Sequence, residues 1–170
     1  MTSDHTRNDV WYALLDIDRE MRYCNEKSRL FEKKQTRIRF ALLAVSTTGV
    51  ITLASELPWF VQAIISAVIG IIVAFDFSRN FGKKSVVLNA ITIEYGRLEN
   101  EWRELWNDVN QDDATEAEIR NKSTELKQRK SIIDALAGDN IDQLDEKLNE
   151  KCARETYQVM ANEFNVEYTS

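Results

Sequence analysis

Two long apolar runs dominate the pattern of hydrophobic and polar positions along this chain. Residues 40–77 contain only two charged side chains, Glu56 and Asp76. At a rise of about 1.5 Å per residue, the runs on either side of Glu56 approach the length that a helix needs to cross a bilayer core. The only proline, Pro58, lies between them and suits the first turn of a second helix. We predict a transmembrane helical hairpin; the alternative is a buried helical hairpin in a soluble protein. The predicted spans cover about 38–55 and 58–77.

Basic residues flank the predicted hairpin on both sides, whereas the connecting turn has none. The positive-inside rule therefore predicts that both chain termini lie in the cytosol and that the turn lies outside. Asp76 precedes Arg79 by three residues, a spacing that predicts an ion pair at the headgroup level. The juxtamembrane basic anchors are Lys33, Lys34, Arg37, Arg39, Arg79, Lys83 and Lys84.

Small and weakly polar residues recur on one face of each predicted span. In the second span they are spaced four apart, the small-xxx-small pattern that allows close backbone approach between helices. Such faces serve helix packing within the hairpin, or line a water path in an assembly, and different faces can serve each role. The candidate packing residues are Ser66, Gly70 and Ala74. The candidate pore-lining residues are Thr48, Thr52, Ser55 and Gln62.

The segments outside the spans have the periodicity of packed helices. Residues 1–39 contain an amphipathic helix whose apolar positions alternate in steps of four and three. Its polar face is mixed in sign, which favours packing against other helices over lying flat on a membrane. In the C-terminal region, 78–170, we predict helices over about 78–110, 115–137 and 141–163. Capping-box patterns begin at Thr115 and at Asn140. No strand pattern is found, so the predicted fold class is all-α.

The helix after the second span carries the strongest heptad seam of the chain. We predict that this seam joins copies of the chain in a homo-oligomer. The alternative is that it packs within one chain, against residues 10–31 and 115–160, because either arrangement buries the same face. The seam residues are Leu88, Ile91, Tyr95, Leu98, Trp102, Leu105 and Val109.

Composition and motifs exclude several classes of function. The net charge is −6, and the region after residue 77 is acidic, which disfavours nucleic-acid binding. The two cysteines, Cys24 and Cys152, have no metal-site spacing and fall on apolar helix faces. No nucleophile elbow, phosphate-binding glycine loop or histidine–carboxylate cluster occurs. We therefore expect neither an enzyme nor a cofactor-binding or metal-binding protein.

The order of these parts resembles the SLATT family, the two-transmembrane effectors associated with SMODS and SLOG domains. The resemblance covers about residues 25–110. It rests on the basic entry KKQTRIRF, the hairpin turn SELPWF, the basic exit SRNFGKK and the following helix with YGRLENEWRELW. It implies a pore-forming or membrane-disrupting effector in the bacterial inner membrane, triggered within a defence or conflict system.

The same resemblance implies partners in such a system: a nucleotide second-messenger sensor or synthase, or a reverse-transcriptase system. The sequence therefore predicts an effector that inserts into the lipid bilayer, forms a homo-oligomer and permeabilises the membrane, leading to growth arrest or cell death. The alternatives are a membrane-anchored helical scaffold, or a regulatory subunit, that recruits a partner through its C-terminal helices.

Overall fold

The structure is a computed structural model that describes residues 3–53, 58–111 and 114–164. For residues 48–53 it describes the backbone, and for the others the side chains as well. Five helices account for nearly all of these residues, and no strand occurs in the described ranges. The predicted all-α class is confirmed. The helices are α1 (Asp4–Leu53), α2 (Trp59–Arg79), α3 (Phe81–Gln111), α4 (Glu116–Asn140) and α5 (Glu146–Phe164).

Helix α1 continues without a break from the N-terminal amphipathic segment into the first apolar run. The sequence treats these as two segments because the composition changes near residue 39. Backbone continuity depends on local propensity instead, and residues 4–48 contain neither proline nor glycine. Hydropathy therefore changes along a single helix of 50 residues.

Asn80 separates α2 from α3. Its φ of 48° and ψ of 40° place it in the left-handed region, and its N–H donates to the carbonyl oxygen of Asp76. Asparagine is one of the few residues other than glycine that adopts this conformation readily. The sequence predicted uninterrupted helix from residue 78, whereas the chain ends one helix at Arg79 and begins the next at Phe81.

The caps of the last two helices differ in how well the sequence predicted them. The capping box at Thr115 is confirmed: its hydroxyl accepts from the Glu118 N–H, and the Glu118 carboxylate accepts from the Thr115 N–H. Helix α5, by contrast, begins at Glu146 rather than near residue 141. The Asp145 carboxylate accepts from the Leu148 N–H (3.2 Å), so Asp145 caps this helix and the pattern at Asn140 does not.

The chain divides into two compact units. The bundle unit contains residues 1–26 and 87–170, and the apolar unit contains residues 27–86. The bundle unit has an ordinary hydrophobic core, to which all four of its helical segments contribute. Its fully covered side chains include Leu14, Ile17, Leu88, Leu98, Trp102, Ile119, Leu126 and Met160. The N-terminal amphipathic segment is thus packed against other helices through Leu14 and Ile17.

Candidate functional site

Helix α2 has the surface of a membrane-crossing helix. Among the described residues, the helical stretch Trp59–Gln111 contains one window that is long and apolar enough to cross a membrane, and none of that window is buried. The apolar part of this stretch is α2, which has no buried residue. Its large exposed side chains are Trp59, Phe60, Ile64, Val68, Ile71, Val73, Phe75 and Phe77. An exposed apolar surface of this extent indicates contact with a membrane or with another protein.

Two different faces run along α2. Ile65, Ile69 and Ile72 are half-buried and recur in steps of four and three, so they face the rest of the apolar unit. The small-residue stripe, Ser66, Gly70 and Ala74, is exposed. Among the described residues, a Cβ atom built on Gly70 meets nothing within 4 Å. The aliphatic face therefore makes the contacts within the unit, and the small-residue stripe stays open.

The predicted pore-lining residues fall in different places. Gln62 is half-buried on the same face of α2 as Ile65 and Ile69. Thr48 and Thr52 lie in α1. Ser55 lies outside the described residues. Gln62 thus lies at the border between the half-buried aliphatic face and the small-residue stripe, one helical turn before Ser66.

Three phenylalanines join the helices at the base of the apolar unit. The ring of Phe81 at the start of α3 lies 5.6 Å from that of Phe31 in α1 and 6.3 Å from that of Phe75 in α2. The Lys34 ammonium lies over both Phe31 and Phe81, and the Arg79 guanidinium lies over Phe75. Basic groups held against aromatic faces are suited to a membrane interface, where both kinds of side chain are favoured. Of the predicted anchors, Lys84 is half-buried and the other six are exposed.

Polar contacts in the same unit fix the approach of α1 to α3. The Ser28 hydroxyl donates to the carbonyl oxygen of Ser85 (2.9 Å), and the Ser85 hydroxyl donates to that of Ser28 (3.1 Å). Both serines are buried. Ser28 occupies one position of the repeat of four and three in the N-terminal amphipathic helix, and the repeat alone assigns it no partner. The reciprocal pair was missed because its meaning depends on which residue of α3 lies opposite.

Two acceptor oxygens in this unit have no donor among the described residues. The Asp76 Oδ1 and Gln35 Oε1 atoms are both buried and without a hydrogen-bond partner in the described structure. The predicted pairing of Asp76 with Arg79 is not observed in the described residues, since the Arg79 guanidinium lies over the Phe75 ring instead, 5.9 Å from its centroid. A buried acceptor without a donor costs about 1–3 kcal/mol, so these oxygens require a donor from their surroundings.

The heptad seam of α3 is buried inside one chain. Six of its seven residues lie in the core at 4% exposure or less, and Ile91 is 5% exposed. This is the intramolecular packing that the sequence left open as the alternative. In this structure the seam side chains are covered by their own chain and leave no free surface for a second copy.

A buried polar cluster beside the seam joins α1, α3 and α5. Asp18 is 1% exposed, and its Oδ2 atom accepts from Arg22 Nε (2.6 Å) and from the Thr156 hydroxyl (2.5 Å). Glu99 is also buried, and Arg103 Nε donates to it (2.8 Å). Burial raises the pKa of the Glu99 carboxyl, and the hydrogen bonds from Arg103 oppose that rise. These groups are satisfied by one another, which is typical of a structural network.

The buried thiols and phenols of the bundle unit are held in their neutral forms. Burial raises the pKa of the Cys24 thiol to about 12, and burial also raises that of Cys152. Burial and a hydrogen bond to Asp134 raise the pKa of Tyr95. A protonated thiol is a poor nucleophile and a poor metal ligand. Both cysteines are therefore suited to packing rather than to reaction.

No protein-family model, curated protein or solved structure matches this chain.

Proposed function

We propose that the protein is a membrane effector that assembles several copies of itself and permeabilises the bacterial inner membrane when triggered. The observation that carries the proposal is the surface of α2. The helix exposes large apolar side chains on most of its surface and leaves the Ser66, Gly70 and Ala74 stripe open. In lipid, large apolar side chains need no protein partner, whereas an open small-residue stripe is a helix–helix contact surface.

In this proposal, α1 and α2 form a two-helix membrane hairpin with both chain termini in the cytosol. The half-buried aliphatic face of α2 supports packing between the two helices. The exposed basic groups and the phenylalanine base mark the cytosolic end. The unpaired acceptor on Asp76 lies at that end, where water and headgroups supply donors. The first-run threonines, Thr48 and Thr52, are the proposed lining of the water path.

Several copies are needed because two helices cannot enclose a water path. The small-residue stripe is the proposed contact between hairpins, since the α3 seam is already covered. A constant leak would kill the host, so the assembly is proposed to stay closed until the cytosolic bundle rearranges. The resemblance to the SLATT family suggests the trigger: a nucleotide second-messenger sensor or synthase, or a reverse-transcriptase system.

The test is membrane permeability after substitution of the open stripe. Gly70→Leu fills the space that a second helix would occupy, and we expect it to abolish the loss of membrane potential that the wild type causes at high expression. Ile71→Leu, on the exposed apolar surface of the same helix, is the matched control and is expected to behave as wild type. A potential-sensitive dye in cells and dye release from liposomes that contain purified protein give the readouts. Wild-type protein that inserts, assembles and leaves both membranes tight would refute the effector function.

A membrane-anchored scaffold is the second candidate. The observation that favours it is the exposed apolar surface of α4 and of the loop that follows it, at Ile132, Leu136 and Leu144. Side chains of this kind are common in protein interfaces. Ile132→Asp with Leu136→Asp should release a partner without changing membrane permeability. Co-purification of a partner with wild type, and not with this variant, would favour the scaffold.

A further inference from the structure

We propose that α5 is a detachable helix, and that the groove it occupies on α1 and α3 accepts α5 from a second copy of this chain. The exchange would couple a change in the bundle unit to assembly. The inference rests on the proposed assembly of several copies, and it adds a second contact surface, in the cytosolic part, to the small-residue stripe.

Helix α5 contributes little apolar surface to the core. Its buried residues are Cys152, Thr156 and Met160, a single stripe with a step of four. Only one of these three, Met160, is a large apolar side chain. Helix α3, in comparison, covers seven seam residues. Since apolar burial is the main favourable term in packing, α5 is held more weakly than α3.

Polar contacts supply much of the docking of α5. The Thr156 hydroxyl donates to the buried Asp18 carboxylate (2.5 Å). Near the end of the helix, the Arg103 guanidinium pairs with Glu163 and contacts the sulfur of Met160 (3.6 Å). Polar contacts of this kind can be replaced by water when the helix leaves, because all of these groups are readily solvated. The cost of release is therefore smaller than for an apolar helix.

Both ends of α5 are attached to α1 and α3 as well. At its start, the N–H of Asp145 donates to the Tyr23 hydroxyl (3.0 Å). At its end, the Phe164 ring lies 5.7 Å from that of Trp11 and 6.2 Å from that of Trp106. These contacts, like those of Thr156 and Glu163, reach α1 or α3. Helix α4 precedes α5 in the chain and is joined to it by residues 141–145, which can act as the hinge.

A second copy of α5 is the occupant that fits this groove. On the groove side lie a buried carboxylate, a guanidinium and two indole rings. On α5 lie the hydroxyl, the carboxylate and the phenyl ring that contact them in turn. An exchanged α5 restores each of these contacts, so the closed and exchanged forms differ mainly in the hinge and in the entropy of association. Confinement of copies to one membrane raises their effective concentration and reduces that entropic cost.

Hydrogen exchange of the full-length protein in detergent or nanodiscs tests the release of α5. We expect α5 amides to exchange faster than those of α3 in the wild type. Glu163→Lys places two positive charges together and should speed exchange in α5 by up to about fivefold, the effect of losing a partly exposed ion pair. Glu150→Lys makes the same charge change at an exposed position of the same helix and should have no such effect.

A second pair of variants removes a hydroxyl in place of a charge. Thr156→Val removes the donor to Asp18 and should also speed exchange in α5. Thr124→Val removes an exposed hydroxyl that, within the described residues, donates to the Arg120 carbonyl of its own helix, and it should not speed exchange in α5. If α5 exchanges only together with α3 in the wild type and in both loosening variants, the helix is not detachable and the proposal is overturned.

Cross-linking tests the occupant of the groove. A photoreactive residue replaces Tyr157, which borders the groove together with Tyr12 and Leu15 of α1. Unlabelled and ¹⁵N-labelled chains are mixed in membranes, and α5–α1 cross-linked peptides are analysed by mass spectrometry. Exchange predicts peptides that pair labelled with unlabelled segments, more of them in Glu163→Lys than in Glu150→Lys.

The outcomes separate the two proposals. Oligomers whose α5–α1 cross-links always join segments of one isotope overturn the exchange and leave the proposed effector intact. Protein that stays monomeric in membranes, with no hybrid peptides, overturns both. Hybrid peptides in oligomers support the exchange.

Discussion

Replacing Leu98 by alanine tests whether the α3 seam holds the bundle or joins copies. Leu98 lies in the middle of the seam and is 0% exposed. Truncating a fully buried leucine costs about 2–5 kcal/mol, from lost transfer free energy and the cavity left behind. Domains of this size are stable by only about 5–15 kcal/mol, so Leu98→Ala should remove a large fraction of the free energy of unfolding.

The assay is urea unfolding followed by tryptophan fluorescence, since Trp102 belongs to the seam and Trp106 is buried beside it. Ile93→Ala is the matched control: it lies on the same helix, is 54% exposed, and should change the free energy of unfolding by at most about 0.5 kcal/mol. Oligomer size is measured in parallel by cross-linking in membranes. The reasoning is refuted if Leu98→Ala dissociates oligomers while the free energy of unfolding stays within that control range.

Four further predictions concern local structure and topology. Gly96→Ala should raise the free energy of unfolding by about 0.5–1 kcal/mol, because alanine favours a helix. The new Cβ atom makes only an ordinary contact, 3.5 Å from the sulfur of Met21. A lower melting temperature would contradict this prediction. Thr115→Ala should lower the free energy of unfolding by about 1 kcal/mol through loss of the helix cap, as measured by thermal unfolding. Hydrogen bonds from Thr115 lower the pKa of Glu118 below its usual value. The stabilisation by Glu118 should therefore be present at neutral pH and lost as the pH falls through that lowered pKa. If wild type and Glu118→Ala still differ in stability below that pKa, this prediction is refuted. Reporter fusions at Ser170 should be active in the cytosol and fusions in the turn at Glu56 outside; the reverse pattern would refute the topology.

Much of the fold could be predicted because it depends on local patterns in the sequence. The helical class, the apolar runs and the positions of the α3 seam follow from periodicity and composition, which depend on neighbours three or four residues away. The Thr115 cap follows from the same kind of local chemistry. The start of α5 could not be predicted in this way, because Asn140 and Asp145 are both acceptable caps and only packing selects between them.

The polar contacts of the core depend on residues far apart in the chain. In α5, the polar residue Thr156 is buried, whereas the apolar residue Val159 is 41% exposed. Thr156 faces inward because the Asp18 carboxylate, on a different helix, requires a donor. Hydrophobicity alone therefore does not predict that Thr156 is buried, since its partner Asp18 lies 138 positions away.

The sequence by itself determined which faces of the helices are apolar, small or charged, and the tertiary structure decided what covers each of them. A heptad seam buries equally well against its own chain or another, because both supply the same apolar surroundings. Only the packed chain shows the α3 seam covered from within and the stripe at Gly70 left open. Three-dimensional packing therefore decides which apolar faces are covered within the chain and which stay exposed, because each helix can pack against only a few others.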